Sequence, residues 1–336
     1  MNQNLLNQYG FNDAMLLSLT NKDRCTLARI IDQQKNLYTI VTEEGIHEAT
    51  LSGKMVYHAQ SFLDYPAVGD FVEVEIVNPR DVIHRILPRV SMLERKSAGL
   101  TSEGQIIATN LDVVFICMSM NENYNLRRLE RYLSVVFASK ATPIVLLTKS
   151  DLSTDYEHLV IDVSHCAPSV KVLSCTTKQE NGFNAVKALM EKGKTYAFIG
   201  SSGVGKSTLV NALLKTDELK TFEVGKMAKG RHITTSRSLY KSEEGFLIID
   251  TPGMRELQLD QVDFDQSFSD IESMALSCKF NDCSHTTEPG CAVLQAVNNL
   301  SLPIERLINY QKMKKEAAYQ AKKTVKKTID KTHKTR

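Results

Sequence analysis

The chain of 336 residues lacks any apolar run long enough to cross a bilayer; a stretch such as Val113–Cys117 is far too short. Its first twenty residues are rich in Asn and Gln, with no basic leader region and no uninterrupted apolar core. A secretory signal is therefore not expected, and a cytoplasmic location is. No segment repeats another, and there is little net charge, +2 overall. Nor is there an even cysteine set of the kind that staples secreted domains: of seven cysteines, Cys25, Cys117, Cys166 and Cys175 are scattered through strand and helix patterns, as reduced core thiols are. These absences exclude a membrane protein and a disulfide scaffold. With 42% hydrophobic and 24% charged residues, the chain has room for two or three domains, each with its own core.

Between the apolar Tyr196–Ile199 and the helix-like run Thr208–Leu214 lies Gly200-Ser201-Ser202-Gly203-Val204-Gly205-Lys206-Ser207, which fits the phosphate-binding pattern G-x-x-x-x-G-K-[ST]. The glycines let the backbone wrap a polyphosphate so that successive N–H groups and a helix N-terminus face its charge. Lys206 would reach the terminal phosphates, the Ser207 hydroxyl would ligate magnesium, and Thr208 completes the candidate contact set. A second acid for the metal is found at the end of a buried-type strand, Phe246–Asp250, followed by Thr251-Pro252-Gly253. Asp250 would hold magnesium through water, and the Gly253 N–H would lie near the γ-phosphate.

Upstream, the β-type run Pro143–Leu147 leads to Thr148-Lys149-Ser150-Asp151, which resembles the [NT]-K-x-D guanine motif of GTPases. A carboxylate there accepts two N–H bonds from guanine. Adenine has no matching donors and would leave Asp151 unpaired, so GTP is expected over ATP. Lys149 would lie along the base and Thr148 would brace the loop. A further strand, Val170–Leu173, ends in Ser174-Cys175-Thr176, which resembles the S-A-K loop that offers backbone N–H groups to the guanine carbonyl, with Cys175 and Thr176 departing from that pattern. The base-reading motifs precede the phosphate loop, the reverse of the usual order, so the domain reads as circularly permuted. A parallel sheet tolerates this, because its ligand loops all project from one edge.

Together these residues resemble the circularly permuted GTPases that act in maturation of the bacterial small ribosomal subunit. Ala67-Val68-Gly69-Asp70, Asn125–Leu133 and Gly230-Arg231-His232-Ile233-Thr234-Thr235 extend the match along nearly the whole chain. The resemblance implies three units: an N-terminal OB-type β-barrel, a central α/β P-loop GTPase, and a mostly helical zinc-binding C-terminal domain. It also implies that Thr234 ligates magnesium and the γ-phosphate. Met254 stands where Ras-like enzymes carry a water-orienting Gln, and the family role for that water falls on His232; a merely solvated loop histidine is the other reading. The implied partners are the small ribosomal subunit and its rRNA, with the protein a monomer.

Three cysteines cluster as Cys278-x4-Cys283-x-His285-x5-Cys291. Three thiolates and an imidazole suit one closed, tetrahedral and hence structural zinc. The expected layout is an N-terminal extension (1–20), the barrel (21–98), a polar linker (97–110), the GTPase domain (111–258), the zinc domain (259–310) and a tail (311–336). The tail holds ten Lys or Arg and two acids, net +8, which leaves −6 on residues 1–310. A helix is expected to fade after Val325 into a mobile arm that orders on phosphate, or into a solvated tail with no partner. Two rival functions stay open: an ATP-using P-loop enzyme, and an rRNA-binding module in which nucleotide only sets shape.

Overall fold

Alternating apolar residues between Cys25 and Ile86 build five strands that close on themselves. The computed structural model describes residues 3–334 except 13–14, 16, 22, 35–36, 97–103, 154–155, 216–236 and 251–262. After a short helix α1 (Gln3–Gln8) come β1 (Cys25–Gln34), β2 (Leu37–Val41), β3 (Ile46–Leu51), α2 (Gly53–His58), β4 (Phe71–Glu75) and β5 (Asp81–Ile86). β1, β2 and β3 pair antiparallel, β3 lies parallel to β5, β5 pairs with β4, and β4 returns to β1. With α2 between β3 and β4, this is the closed barrel of an OB-fold.

The Ala67–Asp70 turn fixes how the barrel sits on the rest. The buried Asp70 carboxylate accepts the Ala67 N–H at 2.8 Å and pairs with Arg89 at 2.7 Å. Gly69 has φ +97°, and a Cβ there would lie 2.2 Å from the Thr109 carbonyl oxygen. Only glycine allows that approach. Thr109 ends β7 (Gly104–Thr109), which pairs antiparallel with β6 (Met92–Lys96) outside the barrel. The segment read as a polar linker is thus half strand, because Ile106, Ile107 and Ala108 are buried.

The next layer is β8 (Val113–Ser119), α3 (Leu126–Ala138), β9 (Thr142–Thr148), α4 (Tyr156–Cys166), β10 (Lys171–Cys175), α5 (Asn184–Lys187), β11 (Thr195–Ile199), α6 (Lys206–Leu214), β12 (Arg237–Lys241) and β13 (Leu247–Asp250). The strands lie in the order β10-β9-β8-β11-β13-β12. All pair in parallel except β12, which runs antiparallel to β13. The strand that carries the phosphate loop, β11, is thus central although three strands of the domain precede it. That is the permutation in structural form. Core residues flank both faces, with Phe115, Phe198 and Ile248 packed toward α6.

The barrel and this layer share one sheet. β12 pairs on its far side with β1, with Asp32 opposite Ser238 and Gln33 opposite Arg237. Arg29, fully buried, rivets the same junction: it donates to the Tyr9 carbonyl at 2.7 Å, to Thr195 Oγ1 at 2.9 Å and to the Gly69 carbonyl at 3.2 Å. Burial pushes its pKa down to about 10, which still leaves it charged at neutral pH.

The chain ends in α7 (Phe264–Ser267), α8 (Ser269–Ala275), α9 (Ala292–Asn298) and α10 (Ile304–Lys334). α10 continues through the Lys–Thr repeats where the sequence suggests a fraying arm. Residues 304–334 contain neither Gly nor Pro and are rich in Lys, which favours a helix. Its start is locked onto α3. Arg306 bridges Glu130 at 2.5 Å and Asp270 at 2.7 Å, donates to the Ser267 carbonyl at 3.2 Å and stacks on Phe268, while Asn309 also donates to Glu130. Arg306 and Glu130 are both buried, so removing one partner strands the other's charge. Arg306→Ala should therefore cost about 3–5 kcal/mol, read as a lower urea midpoint; an unchanged midpoint would show that the lock carries no stability.

Candidate nucleotide-binding site and metal centre

At the end of β11 the chain turns at Gly200, whose φ of +143° and whose Cα packing, with a virtual Cβ 2.3 Å from the Cys117 carbonyl oxygen, admit no side chain. Gly203 and Gly205 also have positive φ, and Gly205 is the N-cap residue of α6 without contributing a side-chain cap. First-turn N–H groups of a helix need acceptors, and an anion provides them. Lys206 folds its ammonium over the loop, donating to the Gly200 and Ser201 carbonyls at 2.7 Å each. Val204 is fully buried, whereas Ser202, Ser207 and Thr208 are exposed on the same turn. The buried Cys117 thiol beneath the loop is pushed up to about 12 by desolvation and is inert.

The base-reading residues come to the same edge. Thr148, buried at the end of β9, donates its hydroxyl to the Val204 carbonyl at 2.6 Å. This single bond ties Thr148–Asp151 to Gly200–Ser207 although 56 positions separate its partners. Lys149 takes a left-handed conformation with φ +57°, and Ser150–Leu152 forms a 3-10 turn. On the neighbouring strand Ser174 and Cys175 remain within β10, paired with Leu147 and Thr148. Cys175 faces the core, where burial lifts its thiol to about 12. The loop itself begins at Thr176, whose hydroxyl donates to Asp151 Oδ1 and whose N–H donates to the Gly182 carbonyl at 2.9 Å. Thr176 is thus the residue of this loop that supports the carboxylate. The sequence signal was present, as the hydroxyl nearest the strand's end.

Asp250 closes β13, one strand from β11, on the same edge as the phosphate loop. His232, Thr234 and Gly253 lie outside the described residues, so the two segments expected to meet the γ-phosphate are not placed.

Cys278, Cys283, His285 and Cys291 converge, each offering one donor atom, with all four atoms within 4.8 Å of one another. His285 Nδ1 is 3.4 Å from the Cys291 sulfur and 3.7 Å from the Cys278 sulfur. The imidazole is buried, its backbone adopts φ +55°, and its carbonyl accepts from Gln311 at 2.7 Å on α10. Cys291 caps α9, accepting the Leu294 N–H at 3.4 Å. Burial opposes ionisation of Cys278, but the Val293 and Ala292 N–H groups outweigh it and hold that thiol below its ordinary pKa. Three sulfurs and one nitrogen at this spacing fit a zinc ion by donor chemistry and leave no donor position for a substrate. The remaining cysteines, Cys25, Cys117, Cys166 and Cys175, carry free thiols.

The sequence profile described as RsgA GTPase matches residues 86–260, and one described as 50S ribosome-binding GTPase matches residues 195–326. A Lactiplantibacillus plantarum protein named small ribosomal subunit biogenesis GTPase RsgA 2 is 44% identical over 315 residues, 93% of this chain and 89% of its own. A Methanosarcina acetivorans protein, small ribosomal subunit biogenesis GTPase RsgA, is 40% identical over 94% of this chain and 86% of its own. In fold, the chain is similar to YjeQ from Thermotoga maritima, with a TM-score of 0.67 at 24% identity, covering 88% of this chain and 99% of that one. It is also similar to YloQ, a circularly permuted GTPase, with a TM-score of 0.63 at 23% identity over 90% and 98%. The family profile covers half of the chain and the relatives are up to 44% identical over nearly all of it, and the chain is a GTP hydrolase belonging to the RsgA GTPase family.

Proposed function

We propose that this GTPase acts in late maturation of the small ribosomal subunit, binding rRNA in its GTP state and leaving after hydrolysis that the subunit stimulates. The Thr148–Val204 bridge carries the nucleotide half of this reading, since it bonds the proposed base loop directly to the phosphate loop. The names of the relatives support the ribosomal half.

In this reading Asp151, steadied by Thr176, selects guanine, and Lys149 lies along the base. Gly200–Thr208 hold the phosphates, with Lys206 drawn from its own loop carbonyls to the β- and γ-phosphates. Ser207, Thr234 and Asp250 would hold magnesium, which supplies charge neutralisation at the phosphates when bound. His232 would orient the attacking water, and the Gly253 N–H would sense the γ-phosphate. Barrel (21–98), zinc domain (259–310) and tail (311–336) would clamp the subunit, with the GTPase domain (111–258) holding the nucleotide. The zinc ion would hold the loop between α8 and α9 and take no part in chemistry. The tail would act as a basic rod: α10 is about 45 Å long, and most of its cations lie beyond residue 311, where phosphate would attract them. The protein would work in the cytoplasm as a monomer; among the described residues no helix is long and apolar enough to cross a membrane.

The decisive assay is multiple-turnover phosphate release from GTP and ATP, alone and with isolated small or large subunits. Small subunits should raise GTP turnover by about tenfold or more, and ATP should remain a poor substrate. Equal rates without subunits, or stimulation by large subunits only, would overturn the ribosomal assignment. A second test concerns the bridge. Thr148→Val leaves the buried Val204 carbonyl without its donor and should weaken GTP and GDP binding together by about tenfold, measured by titration with a fluorescent guanine nucleotide. Unchanged affinity would remove the bridge from the account.

A further inference from the structure

The sheet runs from the GTPase domain into the barrel over a short length. Among the described residues β1 and β12 pair at Asp32–Ser238 and Gln33–Arg237. Ser238 stands opposite Asp250 at the end of β13, and Lys241 opposite Leu247 at its start, so the ladder is level with the nucleotide edge. Towards the other edge β1 turns its hydrogen bonds away: Ile30 donates to the Asp70 carbonyl at 2.9 Å and accepts the Gly69 N–H at 3.0 Å. A ladder this short leaves two domains free to pivot unless something else closes the joint.

The N-terminal segment closes it. Leu6, Tyr9 and Phe11 are buried. On the barrel side Phe11 meets Phe71 of β4 edge-on, with ring centroids 4.9 Å apart, and the Tyr9 carbonyl is the nearest acceptor of the buried Arg29, at 2.7 Å. On the GTPase side Lys241 of β12 donates to Gln8 Oε1 and lies 5.6 Å from the centre of the Tyr9 ring. Gly10 has φ +79°, and a Cβ there would lie 2.8 Å from the Gly193 carbonyl oxygen. Gly193 in turn donates to the Gly245 carbonyl at 2.9 Å, in the turn between β12 and β13. Further along, the Thr20 and Asn21 N–H groups donate to Glu73 at 2.9 Å each, and Arg85 donates to the Ser18 carbonyl. The segment is thereby pinned to the barrel on one side of the joint and seated on the GTPase domain on the other.

We propose that residues 3–11 are a clasp that fixes the angle of the barrel on the GTPase domain. The segment lies outside both domains' strands and closes their joint at the edge away from the nucleotide loops. Withdrawing it takes three apolar side chains out of the joint and leaves one N–H of the Arg29 guanidinium without its acceptor. The barrel then pivots about the Asp32–Ser238 ladder while both domains keep their folds. Its orientation is thus set by a piece of chain that belongs to neither sheet.

Single-molecule energy transfer between a dye on the barrel at Tyr57 and one on α4 at Ile161, both exposed, reads the joint directly. Three proteins are compared: the full-length chain, a chain lacking residues 1–11, and full-length Gly10→Val, which keeps the segment but blocks its seat on Gly193. The full-length chain should give one narrow distance distribution, and both variants one about twice as wide. GTP and GDP affinities should stay within about twofold in both, because the nucleotide loops hang from the opposite edge. A distribution as narrow as wild type in either variant would overturn the inference. So would loss of nucleotide binding and helical circular dichroism in the truncated chain, since the segment would then be part of a domain's core and not a clasp.

Discussion

Parallel pairing of β10, β9, β8, β11 and β13 aims the C-terminal ends of five strands at one edge, and each candidate nucleotide loop in the described structure hangs from that edge. Because the edge depends on strand direction and neighbour order and not on chain order, the sheet can be entered at β8 and still deliver Thr148, Gly200 and Asp250 to one place. The Thr148–Val204 hydrogen bond then converts proximity into a fixed spacing. Without it the Thr148–Asp151 turn and the phosphate loop would be two surface turns on strands separated by β8.

The permutation also changes what the GTPase is wired to. In this chain order the strand after the phosphate loop, β12, is free to pair outward, and it does so with β1, extending the GTPase sheet into the barrel. On the opposite side Glu130 of α3 meets Arg306 of α10, so the zinc domain is held by buried charge and hydrogen bonds as well as by the aromatic packing of Phe268 and Tyr310. Arg29, through its buried hydrogen bonds, and Gly69, through its close approach to the Thr109 carbonyl, reinforce the barrel junction. The GTPase domain is thus clasped on two flanks.

Much of this was legible in the sequence because local chemistry demanded it. Gly200 and Lys206 sit in a phosphate-loop pattern between a strand and a helix, and the cysteine–histidine spacing foretold the four converging donors. Strands β8, β9, β10, β11 and β13 were readable as apolar runs, since both faces of a parallel sheet are buried. What escaped was set by tertiary contact. Arg237–Lys241 shows only a weak alternation and becomes β12 because two neighbours pair with it. Gly104–Thr109 read as linker and is strand because Ile107 and Ala108 find the core. Thr176 outranks Ser174 at the base loop because β10 ends one residue before it, a boundary that residue types alone did not fix. The helix continues past Val325 because residues 304–334 lack Gly and Pro, and the run of like charge does not break it.

The claim beneath all of this is that one guanosine spans both loops. A crystal structure of the protein with a non-hydrolysable GTP analogue and magnesium tests it most directly. The account predicts the guanine edge on the Asp151 carboxylate and the β- and γ-phosphates inside Gly200–Ser207 of the same molecule. Phosphates in that loop with the base turned away from Asp151, or the two loops holding different ligands, would contradict it.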